Sequence, residues 1–428
     1  MNINEKLFDF IENSPSAYHT VSSIKAALLD NGYVELSEGE CWNLLPGGKY
    51  FTSRNGTSVI AFRNPQNKAG FMICASHSDS PAFRLKLTPD SSGAYTSLET
   101  ERYGGMIMYS WLDRPLSLAG RVVVRTSSGT DIKLVNVDSD AAVIPSIAIH
   151  MNRGVNDGYK FNPAKDMMAL VGSDKAKGSV MSIIADKLSV NADDIISHDL
   201  FLYNRERGRV IGINNEYILS PRLDDLECAF ASLEAFINAD ASDAVPVLAV
   251  FDNEEVGSET KQGAASTFLS DVLHRIAGSE AEYSKMLYSG FMVSADNAHA
   301  KHPNAPELSD RSNAPLMNGG VVVKFNANQR YATDGVSDAV FSEICRRAGV
   351  KTQRFYSRAD MPCGSTLGSI SNTVVSIPTV DIGLAQLAMH SASETAGAED
   401  VAHMISALTA FYSSSISRTE SGITIKSK

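Results

Sequence analysis

Apolar runs in this chain repeatedly stop on histidine or carboxylate residues, and that pattern constrains the fold more than any other feature. GFMICAS runs into His77, VPVLAVF into Asp252 and the pair Glu254-Glu255, FMVSA into Asp296, and GLAQLAM into His390. Short apolar runs bounded by Gly, Asn and Pro read as buried strands. Between them lie helical patterns. LECAFASLEAFINA puts Leu226, Ala229, Phe230, Leu233 and Phe236 on one face, DAVFSEICRRAGV is amphipathic, and a last helix is expected over 398–414. Strands alternating with helices predict an α/β fold: a mixed, largely parallel sheet flanked by helices. In such sheets ligands bind at the carboxyl ends of the strands, where these His, Asp and Glu residues fall.

The amino-terminal stretch 3–31 reads as two short helices separated by Ser14-Pro15-Ser16. Between 87 and 215 the texture changes to short runs such as LAGRVVVRT, DIKLVNV and RVIGI, separated by Ser-Gly, Asp-Ser and Asn-Asn turns. This predicts a β-rich insert at 87–215 dividing a catalytic domain into 1–86 and 216–428. Within the insert, 193–202 reads as a helix leading into the hairpin RVIGINNEYIL.

Hydrophobic residues at 43% and charged residues at 20% describe an ordinary globular chain, and 428 residues can bury a large core. A net charge of −11 argues against nucleic acid or an anionic membrane as partner. The start, MNINEKLFDF, lacks a basic region followed by an apolar run, and no stretch approaches a membrane span, so a cytoplasmic protein is expected. The five cysteines are scattered without a Cys-x-x-Cys pair, which suits free thiols in a reducing compartment.

Five segments carry the chemistry: ASHSDSP, SPRLDDLE, FDNEEVGS, SADNAHAKHPN and AMHSASE. In an extended strand His77 and Asp79 face one side, so Asp79 can orient a metal-bound His77; a hydrogen-bonded structural pair fits that spacing equally well. Glu254 and Glu255 are adjacent carboxylates that repel unless a cation or a proton compensates. One can ligate metal while the other acts as general base, although a solvated acidic turn would show the same residues. Asp224-Asp225 precedes a helix, so one of the two can serve as N-cap while the other bridges two metals. Asp296 and His390, each alone, fit a satisfied buried polar residue. Together the set suits two borderline cations, which would acidify a water and polarise a peptide carbonyl. No Gly-x-Ser-x-Gly, Gly-x-Gly-x-x-Gly or Gly-x-x-x-x-Gly-Lys-Ser/Thr is present, which removes serine-hydrolase and nucleotide-binding readings.

At HSDSP, PRLDDL, DNEEVGS, SADNAHAKHPN and QLAMHSASE the chain resembles the aspartyl aminopeptidase family of zinc metallopeptidases, in order along nearly its whole length. The resemblance implies a catalytic domain interrupted by a β-rich dimerisation domain. It implies two Zn²⁺ per subunit, replaceable by Co²⁺ or Mn²⁺: one held by His77 and Asp296, the other by Glu255 and His390, with Asp224 bridging. Glu254 becomes the general base and Asp79 the orienter of His77; Asp225 stands where many relatives have Asn. Substrate contacts follow for His299, Lys324 and Tyr331, with Lys324 facing an acidic P1 side chain, and His150 would reach a neighbouring subunit's site. The expected partners are peptides and further copies of the chain, in dimers building a dodecamer. Two rivals stand beside this reading: an aminopeptidase preferring neutral residues, and a non-catalytic self-assembling scaffold.

Overall fold

The computed structural model describes residues 2–419 and 422–427. Its centre is a nine-stranded mixed sheet. The middle of that sheet is parallel, with Val245–Phe251, Phe71–His77, Phe291–Ala295 and Thr379–Gly383 side by side in that order. Every residue of these four strands is buried. Strands buried on both faces are largely apolar, which is why most of them appear in the sequence as runs rather than alternations, although Thr379–Gly383 carries the buried Asp381. At about 1.5–3 kcal/mol per fully buried large aliphatic or aromatic side chain, this sheet supplies much of the drive to fold.

Alternation reappears in the two cores that the sheet separates. Met72, Cys74, Leu248 and Val250 face one layer with Phe236, Phe341, Met404 and Phe411, drawn from the helices Leu223–Asn238, Gly335–Arg347 and Asp400–Tyr412. Ile73, Ala75, Val247 and Ala249 face the other with Phe268, Leu273 and Met286 from the helices Phe268–Ala277 and Glu280–Tyr288. The amino-terminal helices form as expected, over Ile3–Glu12 and Ala17–Asp30.

A separate six-stranded antiparallel sheet uses strands between Ala82 and Asn204, and closes its own core around Phe83, Trp111, Val122, Ile184, Leu200 and Leu202. Two details differ from the sequence reading. Residues 195–204 form a strand, not a helix: His198, Leu200 and Leu202 point inward with period two, and the strand pairs along nine residues of Leu116–Thr126. The hairpin Arg209–Ile211/Tyr217–Ser220 does not join this sheet. It pairs with Glu394–Gly397 in a five-stranded sheet that also carries Ala385–Leu387 and Ala298–His299. Among the described residues no helix is long and apolar enough to cross a membrane.

The close packing of strand ends leaves no room at Gly383, where an added Cβ would lie 2.0 Å from the main-chain oxygen of Asp296. Gly383→Ala is therefore expected to destabilise the protein by about 1–3 kcal/mol, as overpacking does. Chemical unfolding measures this, and wild-type stability would contradict the packing described.

Candidate active site

The carboxyl ends of the parallel strands converge on one buried cluster. His77 ends the strand Phe71–His77, Asp296 directly follows Phe291–Ala295, and Glu254 and Glu255 form the turn after Val245–Phe251. Asp224 opens the helix Leu223–Asn238 and is joined to Asp225 by a cis peptide bond. His390 arrives on the loop after Ala385–Leu387, in a left-handed conformation with φ of 66°.

The Asp224 carboxylate lies between the two imidazoles. Its Oδ1 is 3.3 Å from His77 Nε2 and its Oδ2 is 3.4 Å from His390 Nε2. Asp296 Oδ1 lies 4.0 Å from His77 Nε2, and Glu255 Oε2 lies 3.5 Å from His390 Nε2. Three overlapping groups result: His77, Asp224, Asp225 and Asp296; Asp224, Glu255 and His390; and His77 with Glu254 and Glu255.

Each imidazole is oriented by a carbonyl. His77 Nδ1 donates to the main-chain oxygen of Asp79 at 3.0 Å, and His390 Nδ1 donates to the main-chain oxygen of Gly105 at 2.6 Å. A carbonyl only accepts, so Nδ1 carries a proton and each ring turns Nε2 to a carboxylate, where an unprotonated Nε2 would present a lone pair. Such an arrangement repels unless a proton or a cation lies between. Asp224 Oδ1 and Glu255 Oε1 are buried without a hydrogen-bond partner. Zinc bonds of about 2.0–2.2 Å in a tetrahedron give ligand-to-ligand edges of about 3.3–3.6 Å, matching three of the separations above. The donor set therefore fits divalent cations.

The supporting contacts differ from expectation in one respect. The Asp79 carboxylate lies 3.4 Å from His77 Nδ1, but the ring bonds the Asp79 carbonyl instead. The carboxylate is occupied elsewhere: Oδ1 accepts the Glu254 N–H at 3.2 Å, and Oδ2 accepts the Glu255 N–H at 3.2 Å and the Tyr103 hydroxyl at 2.6 Å. Asp225 turns to the main chain, accepting the His77 N–H at 3.0 Å. Glu394 takes the Asp224 N–H at 3.0 Å on one oxygen and the His390 N–H at 2.7 Å on the other, tying two cluster residues together. The sequence reading assigned no role to Tyr103 or Glu394. Glu394 stands inside AMHSASE, whereas Tyr103 is signalled only by an aromatic residue followed by paired glycines.

Lys324 is buried within the strand Val321–Phe325. Its ammonium donates to the main-chain oxygens of Asp296 at 2.7 Å and Asn297 at 3.2 Å, and lies 3.5 Å from the Asp296 carboxylate. Tyr331 stacks near it, its ring centre 5.2 Å from the ammonium. Tyr331 and the exposed His299 line a cavity of about 320 Å³ with Phe355, Met361 and Leu387. His150 is not brought to the cluster; it lies in an exposed turn flanked by exposed Ile147, Ile149 and Met151.

A family model described as aminopeptidase I zinc metalloprotease (M18) matches residues 10–412. "Probable M18 family aminopeptidase 2" of Clostridium acetobutylicum is 46% identical over 423 residues, covering 95% of this chain and 98% of that protein. Among solved structures, that of an Ape4 and Nbr1 complex matches with a TM-score of 0.93 at 34% identity, covering 96% of this chain and 85% of that one. The S. cerevisiae mApe1 dodecamer matches at 0.85 and 29%, covering 96% of each chain. Fold and family define a metalloaminopeptidase, a hydrolase of peptide bonds. The chain belongs to the M18 family of aminopeptidase I zinc metalloproteases.

Free of cations, the cluster holds protons. Burial raises Glu254 and Glu394 to about 8, from 4.5, and Asp252 to about 7, from 3.8. Burial alone would lower His390, but Asp224 and Glu255 outweigh it and raise the ring to about 10, from 6.5. These groups keep protons that the unfolded chain releases, so each contributes stability that is lost as pH rises through its folded value. Asp224 has the opposite sign: the imidazoles of His390 and His77 overcome its burial and hold it below its ordinary 3.8, so its window lies under pH 4. The metal-free protein is therefore expected to melt at lower temperature at pH 8 than at pH 5.5, with added zinc removing the difference. Calorimetry in chelator checks this, and a rising midpoint from pH 5.5 to 8 would contradict it.

Proposed function

We propose that the chain is a two-zinc aminopeptidase that removes an amino-terminal Asp or Glu from peptides. The observation that carries the reading is the Asp224 carboxylate, with one oxygen toward each imidazole at 3.3 and 3.4 Å. His77, Asp224 and Asp296 would hold one cation, and Asp224, Glu255 and His390 the other. Co²⁺ or Mn²⁺ suits the same mixed nitrogen and oxygen set. Cations held by these residues would supply polarisation of the scissile carbonyl and a more acidic water. Glu254, beside His77, takes the proton from the attacking water and returns it to the departing amine. Carboxylates of the cluster are placed to hold the substrate's α-ammonium. The cavity beside His299 and Tyr331 accepts the terminal side chain, with the positive charge of Lys324 behind Tyr331 favouring an acidic one.

Residues 87–215 are read as a dimerisation insert between the catalytic parts 1–86 and 216–428, and the protein as a cytoplasmic homo-oligomer, up to a dodecamer. The solved mApe1 dodecamer and the exposed apolar residues around His150 support that reading, including a role for His150 at a neighbouring subunit's site. A preference for neutral residues is the second reading. It is favoured by the Lys324 hydrogen bonds to the carbonyls of Asp296 and Asn297 and by the apolar walls Phe355, Met361 and Leu387.

Aminoacyl p-nitroanilides separate the two, assayed before and after chelation with Zn²⁺, Co²⁺ or Mn²⁺ returned. Chelator-sensitive release favouring Asp or Glu supports the first reading, and Leu or Ala in first place supports the second. Glu254→Gln is expected to lower kcat by about 10²–10⁴-fold, the usual contribution of a general base, with bound zinc retained. Unchanged turnover would overturn its role. Lys324→Ala, which also removes a support of Asp296, is expected to lower all cleavage but that after Asp and Glu more steeply; an equal fractional loss on all substrates in zinc-loaded protein would remove the acidic pocket.

A further inference from the structure

The candidate cation ligands come from strand ends of the central sheet and from segments that follow strands of the five-stranded sheet, yet some of the contacts that orient them come from residues 103–107, at the end of Tyr95–Tyr103 in the six-stranded sheet. We propose that this segment is a working part of the metal centre, with Tyr103 as a positioning residue that acts through Asp79 on His77 and on the Glu254-Glu255 turn. The inference rests on the reading of these residues as a zinc centre.

Tyr103 donates its hydroxyl hydrogen to Asp79 Oδ2 at 2.6 Å and accepts from Asn253 Nδ2 at 2.8 Å. Asp79 distributes that constraint. Its carboxylate receives the N–H groups of Glu254 and Glu255, the general base and a cation ligand, and its carbonyl receives the Nδ1–H of His77. The phenol holds the carboxylate that receives both turn N–H groups, and the carbonyl of the same residue receives His77, so Asp79 links the phenol to three members of the site. The next residues act on the other cation. Gly104 adopts φ of +76°, and a Cβ there would stand 3.1 Å from Glu255 Cβ and 3.3 Å from Glu255 Oε2. Gly105 offers its carbonyl to His390 Nδ1 at 2.6 Å, and Ile107 N–H donates to the His390 carbonyl at 3.0 Å. Within residues 103–107, Tyr103, Gly105 and Ile107 therefore reach both halves of the centre, and Gly104 allows the close approach to Glu255.

The consequence is that the six-stranded unit is not a passive attachment. A shift of its strand end relative to the central sheet moves His77, Glu254, Glu255 and His390 together. Groups that orient metal ligands typically carry 10–100-fold of the affinity.

Full-length Tyr103→Phe is the test, because the phenyl ring keeps its edge-on contact with Phe201, 5.6 Å between centres, and only the hydroxyl is lost. Zinc affinity by competition with a chromophoric chelator, kcat and KM on a peptide anilide, oligomeric state, and unfolding of the metal-free protein would be measured beside the wild type. The expected result is zinc affinity weakened about 10–100-fold with a lowered kcat. KM and assembly should stay at wild-type values, and the metal-free protein should still fold cooperatively, with a loss of stability smaller than the loss of zinc affinity. Wild-type zinc affinity in Tyr103→Phe overturns the inference, and so does a loss that merely follows lower metal-free stability. Should Tyr103→Phe not fold, Gly104→Ala carries the same test on the Glu255 side: weaker zinc in a folded protein supports the inference, and wild-type affinity overturns it. A wild type that takes up no zinc overturns the metal-centre reading itself and the inference with it, which a wild type that binds zinc distinguishes from failure of the inference alone.

Discussion

The structure depends on a concentration of negative charge that cannot stand alone. Asp79, Asp224, Asp225, Glu254, Glu255 and Asp296 meet around two imidazoles and one buried ammonium, that of Lys324. Burying one ionised carboxylate costs several kcal/mol even after relaxation, and burying six together is tolerable only with protons or cations among them. The protein answers in part by hydrogen bonding. Asp79 takes two N–H groups and a phenol, Asp225 takes the His77 N–H, and Glu394 takes the N–H groups of Asp224 and His390. What these bonds leave unsatisfied, Asp224 Oδ1 and Glu255 Oε1 above all, faces the space where cations fit.

The fold serves that constraint. Parallel strands buried on both faces bring His77, Glu255 and Asp296 to one edge, and the helix start at Asp224 and the loop at His390, next to strands of the five-stranded sheet, meet them there. The peripheral six-stranded sheet reaches back to the same edge through Tyr103 and Gly105. Chemistry is thereby set by rigid strand ends, whereas the cavity beside His299 and Tyr331 is walled by loops and short strands that can vary without disturbing it.

How much of this was legible in the sequence follows from the physics of each element. The central strands and the helices Leu223–Asn238, Gly335–Arg347 and Asp400–Tyr412 were readable because full burial or one-sided burial leaves a periodic apolar record. The residues of the cluster were readable because His and carboxylates closing apolar runs are rare without a purpose, and the family resemblance sorted Asp224 from Asp225. Residues 195–204 were misread because Asp193, Asp194 and the following apolar residues mimic a capped helix; pairing with a strand nearly eighty residues earlier decides against it, and no local signal carries that contact. Tyr103 went unread for the same reason: its partners lie 24 and 150 residues away. The form of the Asp79 contact was also beyond local reading, since the competing donors arrive from distant segments.

The central claim is that two cations share Asp224. Crystals grown with zinc and measured on either side of the zinc absorption edge test it most directly. Two anomalous peaks per chain are expected, one among His77, Asp224 and Asp296 and the other among Asp224, Glu255 and His390, with Asp224 next to both. A single peak, or none at these residues, would contradict it.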